Sequence, residues 1–334
     1  MRFLLTLILL AAIGWSGYWL VGSEGSKRGF ESWFDARRTE GWAADYGDLS
    51  VQGFPNRFDA SFTDLSLADP NTGLAWQAPF FQILALSYQP NHVIAVWPKQ
   101  QMIATPLGKY RLRSQDMRAS LVLEPDPQLA LTRTTLTADK LVVTPSDTPD
   151  PSSIEALALA VERIEDTEAT YRLGLSADGL KPSTPWVQRI DPGGTLPDTF
   201  EALSADLTVT FDKPWNRSAI EIARPQPRQI HLKLAQARWG QLDLQLAGEL
   251  TVGDGGQPRG QITVKAKNWR EILQLAVSSG AIPASLGDTL EDALGLVASL
   301  SGSAKTLDIP LDFRNGRMLL GPVPIGPAPV LVIR

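Results

Sequence analysis

The sequence predicts a mainly β (α+β) protein: an extended, curved antiparallel β-sheet with a few helices, carried behind one N-terminal transmembrane helix. Three observations lead there. Apolar and polar residues alternate with period two over most of the chain after Tyr46. Prolines and Gly-rich turns punctuate those runs. An uncharged stretch from Phe3 to Val21 opens the sequence.

That opening, "MRFLLTLILLAAIGWSGYWLVG", spans roughly 28 Å as a helix, enough for a bilayer core of about 30 Å. Trp15, Tyr18 and Trp19 fall where an aromatic belt meets headgroups. Residues 1–24 therefore read as a signal anchor. A cleaved signal peptide is the rival reading, because "AAIGWSG" keeps small residues near a cleavage position. Arg2 and the amino terminus favour a cytoplasmic start, although Lys27, Arg28, Arg37 and Arg38 follow the span. The expected location is the inner membrane, crossed once, with the β-rich body in the periplasm. Residues 25–41 form an amphipathic helix, with Phe30, Trp33 and Phe34 at i, i+3, i+4. That face either packs on the folded body or lies on the membrane surface.

The body divides into a first β-rich half (42–177), a linker or long loop (178–199, "DGLKPSTPWVQRIDPGGTLPDT") and a second β-rich half (200–334) with two covering helices. Strands are expected near 72–78, 80–88, 92–97, 100–105, 109–123, 131–144 and 167–177. Phe58, Ala60 and Phe62 share one face of an early strand. Leu203, Ala205, Leu207, Val209 and Phe211 share one face of a later strand. In "QLDLQLAGELTV", Leu242, Leu244, Leu246, Leu250 and Val252 share a dry face. "GDGGQPRG" then turns the chain into Ile262, Val264 and Ala266, a long hairpin. Ile230, Leu232 and Leu234 supply the strand before it, which turns His231 to the wet face. Three helices interrupt the strands. One is "PSSIEALALAVERI", with Ser152 and Glu155 at capping-box spacing. The second starts at Asn268, with Trp269, Ile272, Leu273 and Ala276 on one face. The third starts at Ser285 and runs to Gly302, with Leu286, Leu290, Ala293, Leu294 and Val297 as its stripe. These last two are a cover for the dry face of a sheet.

The composition narrows the chemistry. Net charge is -5 and Lys and Arg are not clustered, which argues against nucleic acid as a partner. There is no Cys, so disulfides and thiol chemistry are excluded. The two His, at 92 and 231, have no metal-ligand spacing, and no metal or other cofactor is expected. "GWSGY" and "GLSAD" lack the nucleophile-elbow pattern, and Ser303 and Lys305 are too close for an S-x-x-K pair. The acid pairs Asp64/Asp69 and Asp288/Asp292 read as turn and cap residues. No catalytic residue is expected, and the chain does not read as an enzyme.

The stretch "VQGFPNRFDASFTDLSL" (51–67) is the most distinctive after the anchor. Gly53 gives backbone freedom for a sharp turn, Pro55 ends a strand, and Phe54 is expected to bury in the corner. Arg57 is a candidate contact for an anionic headgroup, or else it pairs with Asp59 or Asp64. An N-terminal span, a Trp-bearing helix and "GFPNRFD" together resemble the domain of unknown function 2125 family, whose members share a G-[FY]-P-x-R-[FL] element. The tail "IPLDFRNGRMLLGPVPIGPAP", with an Asn315-Gly316 turn between strands, is similar to theirs. The family's function is unassigned, so the resemblance implies no catalytic residue. More distantly, the layout is similar to AsmA-like and bridge-type lipid-transfer envelope proteins, which implies an apolar groove in a curled sheet.

Two functions follow as expectations. In the first, a membrane-anchored envelope protein binds or handles lipid or another amphiphile on an apolar sheet face, with Phe58, Phe62, Leu207, Val209, Leu242, Leu244 and Leu246 as groove candidates. In the second, a non-catalytic scaffold or assembly factor binds another envelope protein through a sheet edge or the covering helices. Each groove candidate also has an ordinary core reading. An open apolar trough favours lipid; a filled sandwich favours the scaffold.

Overall fold

A computed structural model describes residues 1–300, 305–321 and 323–333. The expected helix end at Ser301–Gly302 and the residue Ser303 lie outside the described residues. The chain forms two compact units. The first is Met1–Pro125 with Leu136–Pro149; the second is Asp126–Thr135 with Asp150–Arg334. The expected linker, 178–199, thus lies inside the second unit. All registered strand pairs are antiparallel, and the protein is mainly β with a few helices, as the alternation predicts.

The first unit starts with one continuous helix, α1 (Arg2–Thr39), which runs through both the expected anchor and the expected amphipathic segment. Then come β1 (Ala43–Asp45), β2 (Asp48–Gln52), β3 (Arg57–Asp69), β4 (Leu74–Leu86), β5 (Gln89–Val96), β6 (Gln100–Thr105), β7 (Gly108–Arg113) and β8 (Asp116–Leu123). β3 is the hub, pairing with β1, β2 and β4. The two strands expected at 72–78 and 80–88 are one strand, β4, and the one expected at 109–123 is two, β7 and β8.

The β3–β4 ladder contains a break that matters for the site. Asp64 has φ +47°, and Asp64 and Pro79 stand between the registered pairs Thr63↔Phe80 and Leu65↔Ala78. Proline has no N–H to give the ladder, and Asp tolerates the left-handed region. The alternation therefore re-phases there. Phe58, Ala60 and Phe62 are buried before the break and Leu65 after it, all toward the same side as Leu67.

β9 (Leu131–Pro145) leads into the second unit, which is a meander: β10 (Ser152–Arg163), β11 (Thr170–Asp178), α2 (Thr184–Ile190), β12 (Ala202–Phe211), α3 (Arg217–Glu221), β13 (Pro227–Trp239), β14 (Leu242–Val252), β15 (Pro258–Lys267), α4 (Trp269–Ser278), α5 (Gly287–Leu300), β16 (Thr306–Arg314), β17 (Arg317–Leu320) and β18 (Val323–Pro327). From β10 to β18 each strand pairs with the next.

The segment expected as a helix from Ser152 is instead strand β10. It pairs with β11 from Ala156↔Asp178 to Arg163↔Tyr171. The sequence "ALALAV" fits both periods, since Ala and Leu are good helix formers and also alternate small and large. A full ladder against β11 outweighs a propensity difference of a few tenths of a kcal/mol per residue. On helices α4 and α5, Trp269, Leu273, Leu290 and Leu294 are buried in one cluster with Ala266, Leu307 and Ile309 of β15 and β16. The Asn315-Gly316 turn has positive φ at both residues (+54° and +71°), the geometry of a tight hairpin between β16 and β17.

The wet face of β11–β13 carries charge ladders. Arg172 donates to Asp206 from Nε (2.9 Å) and Nη2 (2.7 Å), and Lys233 Nζ lies 3.2 Å from the same carboxylate. The hydrogen bonds from Arg172, then Lys233, hold the Asp206 pKa down to about 2 against its partial burial. The stabilisation from a depressed carboxylate is present above its unfolded value of about 3.8 and is lost as pH falls through about 2. Asp206→Asn should therefore flatten the fall in thermal midpoint over that acid window and leave its slope near pH 7 unchanged; a midpoint recorded against pH checks this. His231 is also on this wet face, as expected, with Nδ1 at 3.0 Å from Glu249.

Candidate functional site

The site is built by α1 and the β3–β4 ladder of the first unit. After its apolar run, α1 lays its Phe30 and Phe34 on β3. Phe34 is buried, with its ring 5.6 Å from Phe62 and 4.7 Å from Tyr46, and Phe30 meets Phe62 edge-on at 5.3 Å. The amphipathic face thus packs on the folded body, and Trp33, its third member, stays partly exposed.

Between this part of the helix and the sheet is an apolar cleft of about 480 Å³. The helix contributes Ser26, Gly29, Phe30, Trp33 and Phe34; β3 contributes Phe62, Leu65 and Leu67; β4 contributes Trp76, Phe81 and Ile83. None of these side chains is ionisable. The Ser26 hydroxyl donates to the Gly22 carbonyl at 2.9 Å, and the Trp76 indole donates to buried Gln101 Oε1 at 2.7 Å. Arg37 lies over the Trp33 ring at 5.7 Å and pairs with Glu40 at 2.7 Å, so its charge is balanced outside the lining. Gly29 faces open space: a Cβ there would meet nothing within 4 Å. This volume and lining are those of a small-molecule pocket without any orienting charge, so apolar chains are the chemistry it suits.

A second arrangement joins α1 to the corner formed by the β2–β3 and β4–β5 turns. Trp15 Nε1 donates to Pro55 O (2.9 Å), Tyr18 Oη to Ser87 O (2.5 Å) and Trp19 Nε1 to Arg57 O (2.7 Å). Ser87 is fully buried and its N–H donates to Asn56 O at 2.8 Å, which ties the two turns together. This is what the "GFPNR" stretch does: it turns the chain and offers carbonyls to the helix aromatics. Phe54, expected in the corner's interior, is 56% exposed. Its ring meets Trp19 edge-on at 5.5 Å, because the space inside the corner is taken by Phe58 beneath Tyr18 and Trp19.

The expected groove residues are distributed over both units. Phe58 is buried at the corner and Phe62 lines the cleft. In the second unit, Val209 is buried and Leu207 half-buried with Tyr171 and Phe211. Leu242 is buried, Leu244 packs under α4 and α5, and Leu246 packs with Ile262 and Phe313. Arg57 Nε pairs with Asp59 at 3.0 Å, and about half of its side chain is exposed. Sequence reasoning missed Leu65, Leu67, Trp76, Phe81 and Ile83. Asp64 and Pro79, a turn former and a ladder breaker on facing strands, were the signal that the alternation re-phases. Among the described residues no group of three or more His, Asp or Glu is placed to hold a metal ion.

The chain matches, over residues 19–329, the family model described as "Uncharacterized protein conserved in bacteria (DUF2125)". The chain belongs to this family. The matched region begins at Trp19 and takes in the corner, the cleft and the hairpins of the second unit. No curated protein and no solved structure matches it. Helix α1 is long and apolar enough to cross a membrane, which is consistent with a single-pass protein of this bacterial family.

Proposed function

We propose that this DUF2125 protein is anchored in the inner membrane by an uncleaved α1, with its β-rich body in the periplasm, and that it holds an acyl chain of a lipid or similar amphiphile in the α1–β3–β4 cleft. The observation that carries the reading is the cleft's lining. Phe30, Phe62, Trp76 and Phe81 form an uncharged wall that leads from the helix emerging from the bilayer. Each methylene buried there contributes about 0.8 kcal/mol with no directional chemistry needed. Retention of α1 is supported by the hydrogen bonds from Trp15, Tyr18 and Trp19 to the corner, which a cleaved chain would lose.

Gly29 gives the test. Gly29→Trp places an indole in the open space of the cleft and, by helix propensity, does not weaken α1. The full chain is reconstituted in nanodiscs of phosphatidylethanolamine and phosphatidylglycerol, with a trace phospholipid carrying a diazirine near its acyl terminus. Crosslinks are expected at Leu65, Trp76 and Phe81 in the wild type. They should fall about tenfold or more in Gly29→Trp, since displacing even two methylenes costs about 1.6 kcal/mol. Crosslinks confined to Phe3–Ile13 in both proteins would contradict lipid uptake and favour the scaffold.

A further inference from the structure

The membrane-crossing run of α1 and the part of α1 docked on the corner overlap. The apolar run is Phe3–Val21, yet the folded unit already grips the helix at Trp15, Tyr18 and Trp19. Phe3–Gly14, the stretch before the first grip, spans only roughly 18 Å, against a hydrocarbon core of about 30 Å. If the corner stayed in water, the uncharged stretch between Arg2 and the first grip would fall short by roughly 12 Å. If Val21 marks the membrane edge, Trp15 and Trp19 lie inside the leaflet, and the carbonyls bonded to them lie there too.

From this overlap we infer that the corner of the first unit is itself a membrane-inserted surface, with Phe54, Leu86 and Tyr88 in the interfacial region of the bilayer leaflet that faces the folded body. Their exposure is that of a lipid contact: 56% for Phe54, 36% for Leu86 and 64% for Tyr88. The corner is also prepared for low dielectric. The carbonyls of Pro55, Arg57 and Ser87 each accept a hydrogen bond from an aromatic side chain of α1, and Asn56 O accepts from Ser87 N. Unpaired carbonyls would cost several kcal/mol each in lipid. The charge at the corner, Arg57, is paired with Asp59 and half exposed, so its long stem reaches the phosphate level from a strand end just behind the insertion. This inference needs α1 to cross the membrane and is independent of what occupies the cleft.

The chain has no Cys, so single-Cys labelling needs no background removal. Phe54→Cys and Tyr88→Cys are labelled with a polarity-sensitive fluorophore in the full chain, in phosphatidylethanolamine–phosphatidylglycerol vesicles, and quenched with lipids brominated at shallow or deep acyl positions. Leu7→Cys reports the anchor. Leu107→Cys reports water: it is 91% exposed on the β6–β7 turn, next to the far end of β4 and roughly 36 Å along that strand from Leu86. The expected result is deep quenching at 7, shallow quenching with a blue shift at 54 and 88, and none at 107. Quenching at 7 with 54 and 88 behaving like 107 would overturn the inserted corner alone. No quenching at 7 would overturn it together with the anchor.

Discussion

Gly22→Leu is expected to lift α1 from the first unit and to lower its stability by about 3 kcal/mol. Gly22 sits where the helix passes over Phe58, and a Cβ built there runs into the end of the Phe58 ring. That ring cannot swing away freely. It is buried, with Tyr18 at 6.3 Å and Trp19 at 6.2 Å. Even Gly22→Ala should destabilise, although Gly to Ala in a helix ordinarily stabilises by about 0.5–1 kcal/mol. Gly25 and Gly29 on the same helix make the comparison clean, since a Cβ at either meets nothing within 4 Å. Ala at 25 or 29 should raise the thermal midpoint of the detergent-solubilised full chain, and Ala at 22 should lower it. Hydrogen exchange of the amides at Arg57 and Ser87 should rise in the Gly22 variants alone. The same sign of effect at all three glycines would mean that α1 does not dock as described.

The second large effect lies in the other unit. Gly248→Ala should destabilise it by about 3 kcal/mol, the sum of left-handed strain and overpacking. Gly248 has φ +153°, a conformation left to glycine, and its added Cβ would strike the Gln261 carbonyl oxygen and Ile262 Cα of β15. Those are backbone atoms in a ladder that runs from Asp243↔Lys267 to Val252↔Pro258, so relief requires moving a strand. Gly260 approaches Glu249 and Leu250 reciprocally, which makes the β14–β15 contact close from both sides. A denaturant midpoint for the full chain, followed by near-ultraviolet circular dichroism, checks this. A change below about 1 kcal/mol would show that the strands can part there at little cost.

How much of this was legible in the sequence depended on whether a feature is local. The β14–β15 hairpin was readable because Leu242, Leu244, Leu246, Leu250 and Val252 keep one period-two phase on either side of Ala247-Gly248 and "GDGG" closes the turn. Asn315-Gly316 was readable because the turn needs two positive φ values that this pair tolerates. Segment 152–163 was misread because "ALALAV" satisfies two periods and the deciding partner, β11, is a separate strand. Half of the cleft was hidden because Asp64 and Pro79 re-phase β3 and β4 together, which moves Leu65, Leu67, Phe81 and Ile83 off the simple alternation. Phe30 and Phe34 were found from helical spacing alone. The role of Trp15, Tyr18 and Trp19 was half visible. Their place at the end of the apolar run marked a membrane interface, but their hydrogen bonds reach turns far along the chain, and no spacing encodes that.

In the function proposed above, an uncharged cleft beside the anchoring helix, and not a reactive side chain, does this protein's work. Native mass spectrometry of the full chain released from nanodiscs tests it most directly, with wild type and Gly29→Trp measured side by side. A phospholipid-mass adduct that survives detergent exchange is expected on the wild type and is expected to be missing from the variant. Equal loading of the two, or bare protein in both, would contradict it.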